Sequence, residues 1–332
     1  MRRGPAHAGS LRISERLAFV LMFMAMAGFV VGLSVIAAKS GARAGTRLHV
    51  AASARTDPIG SGADPHTPAC RNLTGSTGWT TGTRRARRSE VLSERLAGAL
   101  GATLHPGTGQ LSAGVIDTAT GAEAVYHASE HYHAAGTTRA DLLAALLYRQ
   151  QQAGTEVSAQ DADLAAQMIG TGNGAAAARL WQAIGRGPGL AQANRALRLR
   201  HTIPGAADTW ALTSTTVADQ LQLLADLTTG HSALSADCRD FELRLMGKVA
   251  ATRRWGVPAA ASPGTRYAVS DGWQQDARHF VVNSIGVIDR GGHELLVAVL
   301  SQGWATKAAG MSAVRAAAIA AVSAMLRPSL TE

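Results

Sequence analysis

A chain of 332 residues with a formal net charge of +9 is long enough for one large or two modest domains with a substantial core, and its basicity at first suggests nucleic acid. The charge is not evenly spread: residues 1–100 carry 14 Lys/Arg against 5 Asp/Glu, a balance of +9, whereas residues 101–332 carry 18 of each, a balance of zero. The charge balance of the globular part therefore gives no sign of a phosphate-binding surface, which argues against a nucleic-acid partner, and the charged arm suits membrane lipid or an anionic cell wall.

Residues 17–38, LAFVLMFMAMAGFVVGLSVIAA, are 22 consecutive residues without a charge. At about 1.5 Å per residue they can cross a hydrocarbon core of about 30 Å. The stretch is longer than the roughly 7–15 apolar residues of a cleaved signal, so the expectation is an uncleaved transmembrane signal anchor behind a short cytoplasmic tail, 1–16. Secretion after cleavage is the alternative. Arg2, Arg3, Arg12 and Arg16 precede the stretch and Lys39, Arg43, Arg47 and Arg55 follow it, so charge alone does not orient it. The long C-terminal part favours a single-pass protein of the cell membrane with its folded domain outside. Residues 39–88 are too poor in large apolar side chains to offset chain entropy and are read as a flexible basic linker ending in RRARR, 84–88. Cys70 and Cys238 are the only cysteines. In an exported domain they are a disulfide candidate, whose long loop would contribute up to about 5 kcal/mol; two unpaired thiols are the alternative.

The folded domain is expected over 89–332. Its first helix, 89–102, sets Val91, Leu92, Leu96 and Leu100 on one side. Two strand-like runs in 110–128 flank Thr118-Ala119-Thr120-Gly121, a hairpin signal, and residues 138–255 are mostly helical. Three strands follow as a meander in RYAVSDGW, HFVVNSIGVID and HELLVAVLSQG, with turns at 273–278 and 289–292. An Ala-rich helix, 310–326, ends before Pro328. The order predicts an α+β fold layered α/β/α: one five-stranded antiparallel sheet, the terminal helices on one face, and a helical lobe inserted between the second and third strands.

HYHAAGTTRADLLAALL, 131–147, runs a turn into an amphipathic helix with a basic residue one turn in. A nucleophile with a basic partner three residues later has this spacing, but Gly136 and Arg139 are the wrong residue types for it. The burial needs of Leu142, Leu143, Leu146 and Leu147 explain the helix without any chemistry. The chain has no G-x-S-x-G, H-E-x-x-H, P-loop or C-x-x-C. His127, His131 and His133 straddle a loop with no fixed carboxylate beyond Glu130, so neither a metal nor another cofactor is expected. Only Lys39, Lys248 and Lys307 exist, and the residues three before them are Ile36, Leu245 and Trp304, so no S-x-x-K or T-x-x-K occurs anywhere. Lys248 on a helix and Lys307 in the loop after the last strand are expected to be solvated.

The hairpin GVIDTATG, the Tyr-His helix start, WALTSTTVADQLQLL, LMGKVAATRRWGVPA and NSIGVI…GGHELLVAVLS follow one another in an order that resembles the serine β-lactamase and penicillin-binding-protein superfamily. They are most similar to class A-like serine hydrolases of actinobacterial type, and the resemblance covers residues 89–326. It implies acylation of a serine in S-x-x-K, with an S-x-N motif on the helical lobe, K-[ST]-G on a sheet strand and a deacylating glutamate. Carried over, Gly136 takes the place of the serine and Arg139 that of the lysine. Gly172-Asn173-Gly174 takes the place of S-D-N, and Ser270-Asp271-Gly272 that of K-[ST]-G. The loop RHTIPGAADTW has no glutamate. Glycine has no nucleophile, and arginine keeps its proton at any useful pH, its pKa lying above about 12. The expectation is thus a pseudoenzyme with no intact catalytic set, binding cell-wall fragments or envelope proteins, its cleft plugged by an Arg139–Asp271 ion pair. The alternative is an active hydrolase using Thr137 or Ser270, with Thr171-Gly172-Asn173 as a displaced T-x-N.

Overall fold

The computed structural model describes residues 77–102, 109–206 and 209–327; the tail 1–16, the apolar stretch 17–38, Cys70 and the linker up to residue 76 lie outside them. In chain order the elements are α1 (Thr77–Gly101), β1 (Gln110–Asp117), β2 (Glu123–Tyr126) and β3 (Tyr132–His133), a 3-10 turn (Ala135–Thr137), then α2 (Thr138–Gln152), α3 (Ala159–Thr171), α4 (Gly174–Ala183) and α5 (Arg186–Ala196). After them come β4 (Ser214–Thr215), α6 (Val217–Thr228), α7 (Ala236–Met246), β5 (Tyr267–Asp276), β6 (His279–Arg290), β7 (His293–Gln302) and α8 (Lys307–Leu326).

The main sheet has the order β2-β1-β7-β6-β5 and is antiparallel throughout, which is the expected five-stranded α+β architecture. Its centre is buried on both faces, and the alternation of side chains along β7 shows how. Leu295, Val297 and Val299 join the core beneath the terminal helices with Leu92, Leu96, Leu100 and Val314. Leu296, Ala298 and Leu300 point the other way, into the core of the helical lobe with Leu142, Leu146, Leu180 and Leu221. A period of two with both faces covered reads as one continuous apolar run, as HELLVAVLSQG does. The short ribbon β3–β4, pairing Tyr132 with Thr215 and His133 with Ser214, is an element that the sequence reading did not anticipate. Two residues per strand give no periodicity to detect.

Helix starts follow local chemistry. Ser158, Asn173, Thr216, Ser235 and Thr306 each accept a hydrogen bond from a backbone N–H of the first turn of α3, α4, α6, α7 and α8, satisfying donors that a helix leaves free. α8 is long and apolar enough to cross a membrane by length and composition, yet it buries Val314, Ala317, Ala318, Ala321 and Val322 against the sheet, so it is a core helix here.

The start of the first helix differs from expectation. α1 begins at Thr77, not Ser89, so RRARR lies on a helix. The Arg85 guanidinium sits against Gly121 in the β1–β2 turn, and its charge acts on Glu123. Ser89 and Ser93 of α1 accept from the backbone N–H groups of Glu123 (3.1 Å) and Val125 (3.0 Å). These contacts cover the free edge of β2, a sheet edge that would otherwise expose unpaired donors. A polar helix held by a tertiary surface carries little signal in its own composition. At the other end, Arg95 of α1 donates to the carbonyls of Ala324 (3.1 Å) and Arg327 (2.9 Å), capping α8 where a cation is favoured. Cys238 is a half-buried residue of α7 with no disulfide to any described residue; Cys70, the other half of the disulfide candidate, lies outside the described residues.

Replacing both edge-covering hydroxyls, S89A/S93A, is expected to lower stability by about 1–3 kcal/mol per orphaned N–H. The readout is the midpoint of urea unfolding of the whole chain; a variant unchanged within about 0.5 kcal/mol would mean that water replaces the serines.

Candidate functional site

The sequence positions singled out on α2, α3–α4 and β5 converge at one place, the junction of the helical lobe with the edge strand β5. Gly136 is in the 3-10 turn that leads into α2 and is fully buried. The residue before it, Ala135, has φ +48°, a left-handed conformation that costs an L-residue about 1–2 kcal/mol. Asn283 on β6 holds this turn: its Nδ2 donates to the carbonyls of His133 (2.8 Å) and Ala134 (3.0 Å), and its Oδ1 accepts from Ser301 N (2.9 Å). Asn283 was not among the sequence candidates. A lone Asn inside an apolar strand 150 residues from its partner gives no local signal.

Gly136 meets Gly272 backbone to backbone. A Cβ on Gly136 would lie 2.4 Å from the Cα of Gly272 and 2.5 Å from Nη1 of Arg139, and a Cβ on Gly272 would lie 2.1 Å from the Cα of Gly136. Neither position has room for any side chain.

Two arginines occupy what remains. Arg139 donates from Nη1 to the Gly136 carbonyl (3.0 Å) and from Nη2 to the Gly172 carbonyl (3.3 Å), and its guanidinium lies 5.5 Å from the Trp210 ring centroid, within cation–π range. Its Nε is buried without a partner. Burial, and secondarily the charge of Arg253, lowers its pKa to about 10, so it stays charged at neutral pH. Arg253, from the loop after α7, donates to the Asp271 carbonyl (2.8 Å). Its guanidinium lies where a Cβ on Gly172 would fall, 2.5 Å from its Cζ. Arg253 thus ties the helical lobe to β5. Its signal in the sequence was limited to the stretch LMGKVAATRRWGVPA, which does not say which arginine reaches the cleft.

The expected Arg139–Asp271 ion pair is not present. The Asp271 carboxyl turns toward the sheet, accepting from Ser284 Oγ (2.5 Å) and Trp255 N (2.9 Å), and Ser284 Oγ accepts in turn from Val257 N (2.8 Å). Burial raises the pKa of Asp271 well above the usual carboxylate range, against the lowering effect of Ser284, Trp255 and Arg253. The register of β5 with β6, which sets Asp271 opposite Ser284 and Gly272 opposite Asn283, decides this. The partners of Arg139 and Arg253 here are main-chain carbonyls.

The other candidates have structural uses. Gly172 ends α3 at φ +74°, and Asn173 caps α4 by accepting from Ala175 N (2.9 Å) and Ala176 N (3.1 Å). Thr-Gly-Asn-Gly is therefore the stop of one helix and the start of the next, with Gly174 the first residue of α4. Thr171 Oγ1 donates to the Gln167 carbonyl of its own helix (2.9 Å). Thr137 is fully buried and donates to the Ala134 carbonyl (2.7 Å). Ser270 is buried on β5 opposite Ile285. Lys248 is exposed, whereas Lys307 opens α8 with its ammonium 4.4 Å from the Trp273 centroid. His127 stacks on Tyr126, and His131 contacts Ser214.

Among the carboxyls buried in the helical lobe are those of Asp141 and Glu242, neither a candidate from the sequence. Asp141 accepts from Gln220 Nε2 (3.1 Å), and its other oxygen, both oxygens of Glu242 and the Gln220 Oε1 have no partner. Burial raises the pKa of Asp141 to about 7, opposed by the Gln220 hydrogen bond, and raises that of Glu242 well above its usual range.

No family model and no curated protein matches the chain. Solved structures do. The fold is that of the serine β-lactamases: an ancestral class A β-lactamase superposes with a TM-score of 0.57 at 22% identity over 70% of this chain and 99% of that one. Two further similar structures are a β-lactamase from Sphaerobacter thermophilus (TM-score 0.58, 21% identity, 71% of this chain, 99% of that one) and one from Burkholderia vietnamiensis (0.59, 20%, 71% and 97%). At these identities the likeness establishes the fold.

Placing a serine at the helix start, G136S, is expected to destabilise the chain by about 1–3 kcal/mol through overpacking against Gly272, read as a lower urea midpoint. The buried carboxyl gives a pH dependence of definite sign. Asp141 keeps its proton in the folded chain to about pH 7 but releases it near 3.8 when unfolded, so the folded state binds more protons in between and stability falls as pH rises from about 4 to about 7. Glu242 acts in the same direction. D141N, which stays neutral and keeps the acceptor for Gln220, is expected to flatten that fall; an equal slope in both proteins would show that Asp141 is ionised in the folded chain.

Proposed function

We propose that this protein is a membrane-tethered, extracytoplasmic β-lactamase-like module that binds or scaffolds cell-envelope material and performs no acyl transfer. The observation that carries the reading is the Gly136–Gly272 contact, which leaves neither a nucleophile nor a place for a substrate carbonyl. The rest of the junction supports it. Arg139 cannot act as a general base while it holds its proton, Gly172 relays nothing, and Asp271 brings no positive charge to the strand. The hydroxyl of Thr137 is committed to the Ala134 carbonyl, which speaks against a displaced nucleophile. The tether rests on the uncharged stretch 17–38, with secretion after cleavage as its rival. Cell-wall fragments and envelope proteins are the partner classes, by analogy with the fold.

The whole chain, in neutral detergent, is incubated with a fluorescent penicillin and with a chromogenic cephalosporin beside a heat-denatured control. Neither covalent label nor turnover above the control is expected. A label that peptide mapping places on Thr137 or Ser270 would overturn the proposal and establish an active hydrolase. In a parallel thermal-shift measurement, stabilisation by soluble muropeptides assigns the ligand to the cell wall, and its absence assigns the module to protein partners.

A further inference from the structure

We propose that the helical lobe carries an anion pocket, separate from the closed cleft, in which Arg195, Arg198 and Arg200 bind a phosphate-bearing ligand. The pocket lies between the last turn of α5 and the loop that follows it, and has a volume of about 380 Å³, within the size range of small-molecule sites.

Local structure brings the three arginines together. Arg195 is in the last turn of α5. The chain then reverses through Arg198, held at φ +61°, while Leu199 N donates back to the Asn194 carbonyl (2.8 Å). The reversal returns Arg198 and Arg200 to the wall that Arg195 already lines. Arg198 is fixed in place: its Nη2 donates to Asp226 Oδ1 (2.6 Å) and to the His231 carbonyl (3.2 Å), and Asp226 is buried. Arg195 and Arg200 are exposed and form no hydrogen bond or ion pair with the described residues.

The polar floor is already satisfied. Asn194 Nδ2 donates to the Thr202 carbonyl (2.8 Å), and Thr202 Oγ1 donates to Asp219 Oδ2 (2.7 Å) while bonding Thr215 Oγ1 (2.8 Å). What the pocket offers a ligand is therefore guanidinium donors, with no carboxylate among its lining residues. Three guanidiniums less two neighbouring carboxylates, Asp226 on Arg198 and Asp219 behind Thr202, leave one net positive charge, carried by the exposed Arg195 and Arg200, to meet the anionic oxygens of a phosphate monoester. The fork of a guanidinium suits that oxyanion, and a lysine would not provide it. The zero charge balance of residues 101–332 conceals this local excess.

The test is calorimetric titration of the whole chain, in neutral detergent at constant ionic strength, with inorganic phosphate, glycerol 3-phosphate and acetate. Saturable phosphate binding is expected, weakened at least tenfold in R195A/R200A, by a smaller factor in R200A alone, and unchanged in R278A, which alters an exposed arginine on the β5–β6 turn. Thermal unfolding of each variant shows that it is folded. Tighter binding of glycerol 3-phosphate points to a substituted monoester such as a lipid or polymer headgroup; tighter binding of inorganic phosphate points to the free ion. The proposal is overturned by no saturable heat up to about 10 mM phosphate, an affinity too weak for a specific site, by equal binding in R195A/R200A, or by acetate binding as tightly as phosphate.

Discussion

The backbone of Gly136 rests on the backbone of Gly272, and the geometry of the junction between helical lobe and sheet depends on that contact. Two chain segments can approach this closely only where neither has a Cβ. With the segments in contact, β5 closes against the turn that opens α2, and Arg139 and Arg253 fill the remaining gap by donating to main-chain carbonyls. A side chain at either glycine would force the strand and the helix start apart and break the hydrogen bonds of both arginines together. The interaction is short-range and steric, so it leaves no trace in charge or hydropathy and is visible only as two glycines 136 residues apart.

Around this contact, charge is handled unusually. Arg139 is largely buried and has carbonyls and an indole face as partners, with no carboxylate bound to it. Asp271 is tied up by Ser284 and Trp255 and held toward its neutral form by burial. Asp141 and Glu242, buried in the helical lobe, are also pushed toward neutrality. A largely buried cation without a bound carboxylate needs other partners for its donors: the carbonyls of Gly136 and Gly172 accept from Nη1 and Nη2, and Nε is left without one. Backbone carbonyls at Gly136 and Gly172 thus furnish the partners of Arg139.

Much of the fold was legible because it rests on periodic burial. The 3.6 period of the helical segments, the hairpin at Thr118–Gly121 and the three apolar runs after residue 265 each stand out locally, and their order selects the α/β/α arrangement. The start of α1 was not legible, since Arg85, Ser89 and Ser93 hold it through contacts with β2 and its own residues are polar. In the site, the convergence of Gly136, Arg139, Gly172, Asp271 and Gly272 could be read by resemblance. The direction of the Asp271 side chain could not, nor could the parts of Arg253 and Asn283, because each depends on strand register and on partners far away in the chain.

The sequence by itself determined what chemistry is ruled out: three lysines, none preceded at the third position by Ser or Thr, exclude a Ser–Lys pair one helical turn apart whatever the fold. It also determined the layers, because burial must follow the periodicity of the backbone. Only the tertiary structure decided that Gly136 and Gly272 touch, that Arg139 and Arg253 donate to main-chain carbonyls beside them, and that Arg195, Arg198 and Arg200 gather at one pocket. Those outcomes depend on distances of a few ångströms between residues remote in sequence, and composition and spacing do not encode such distances.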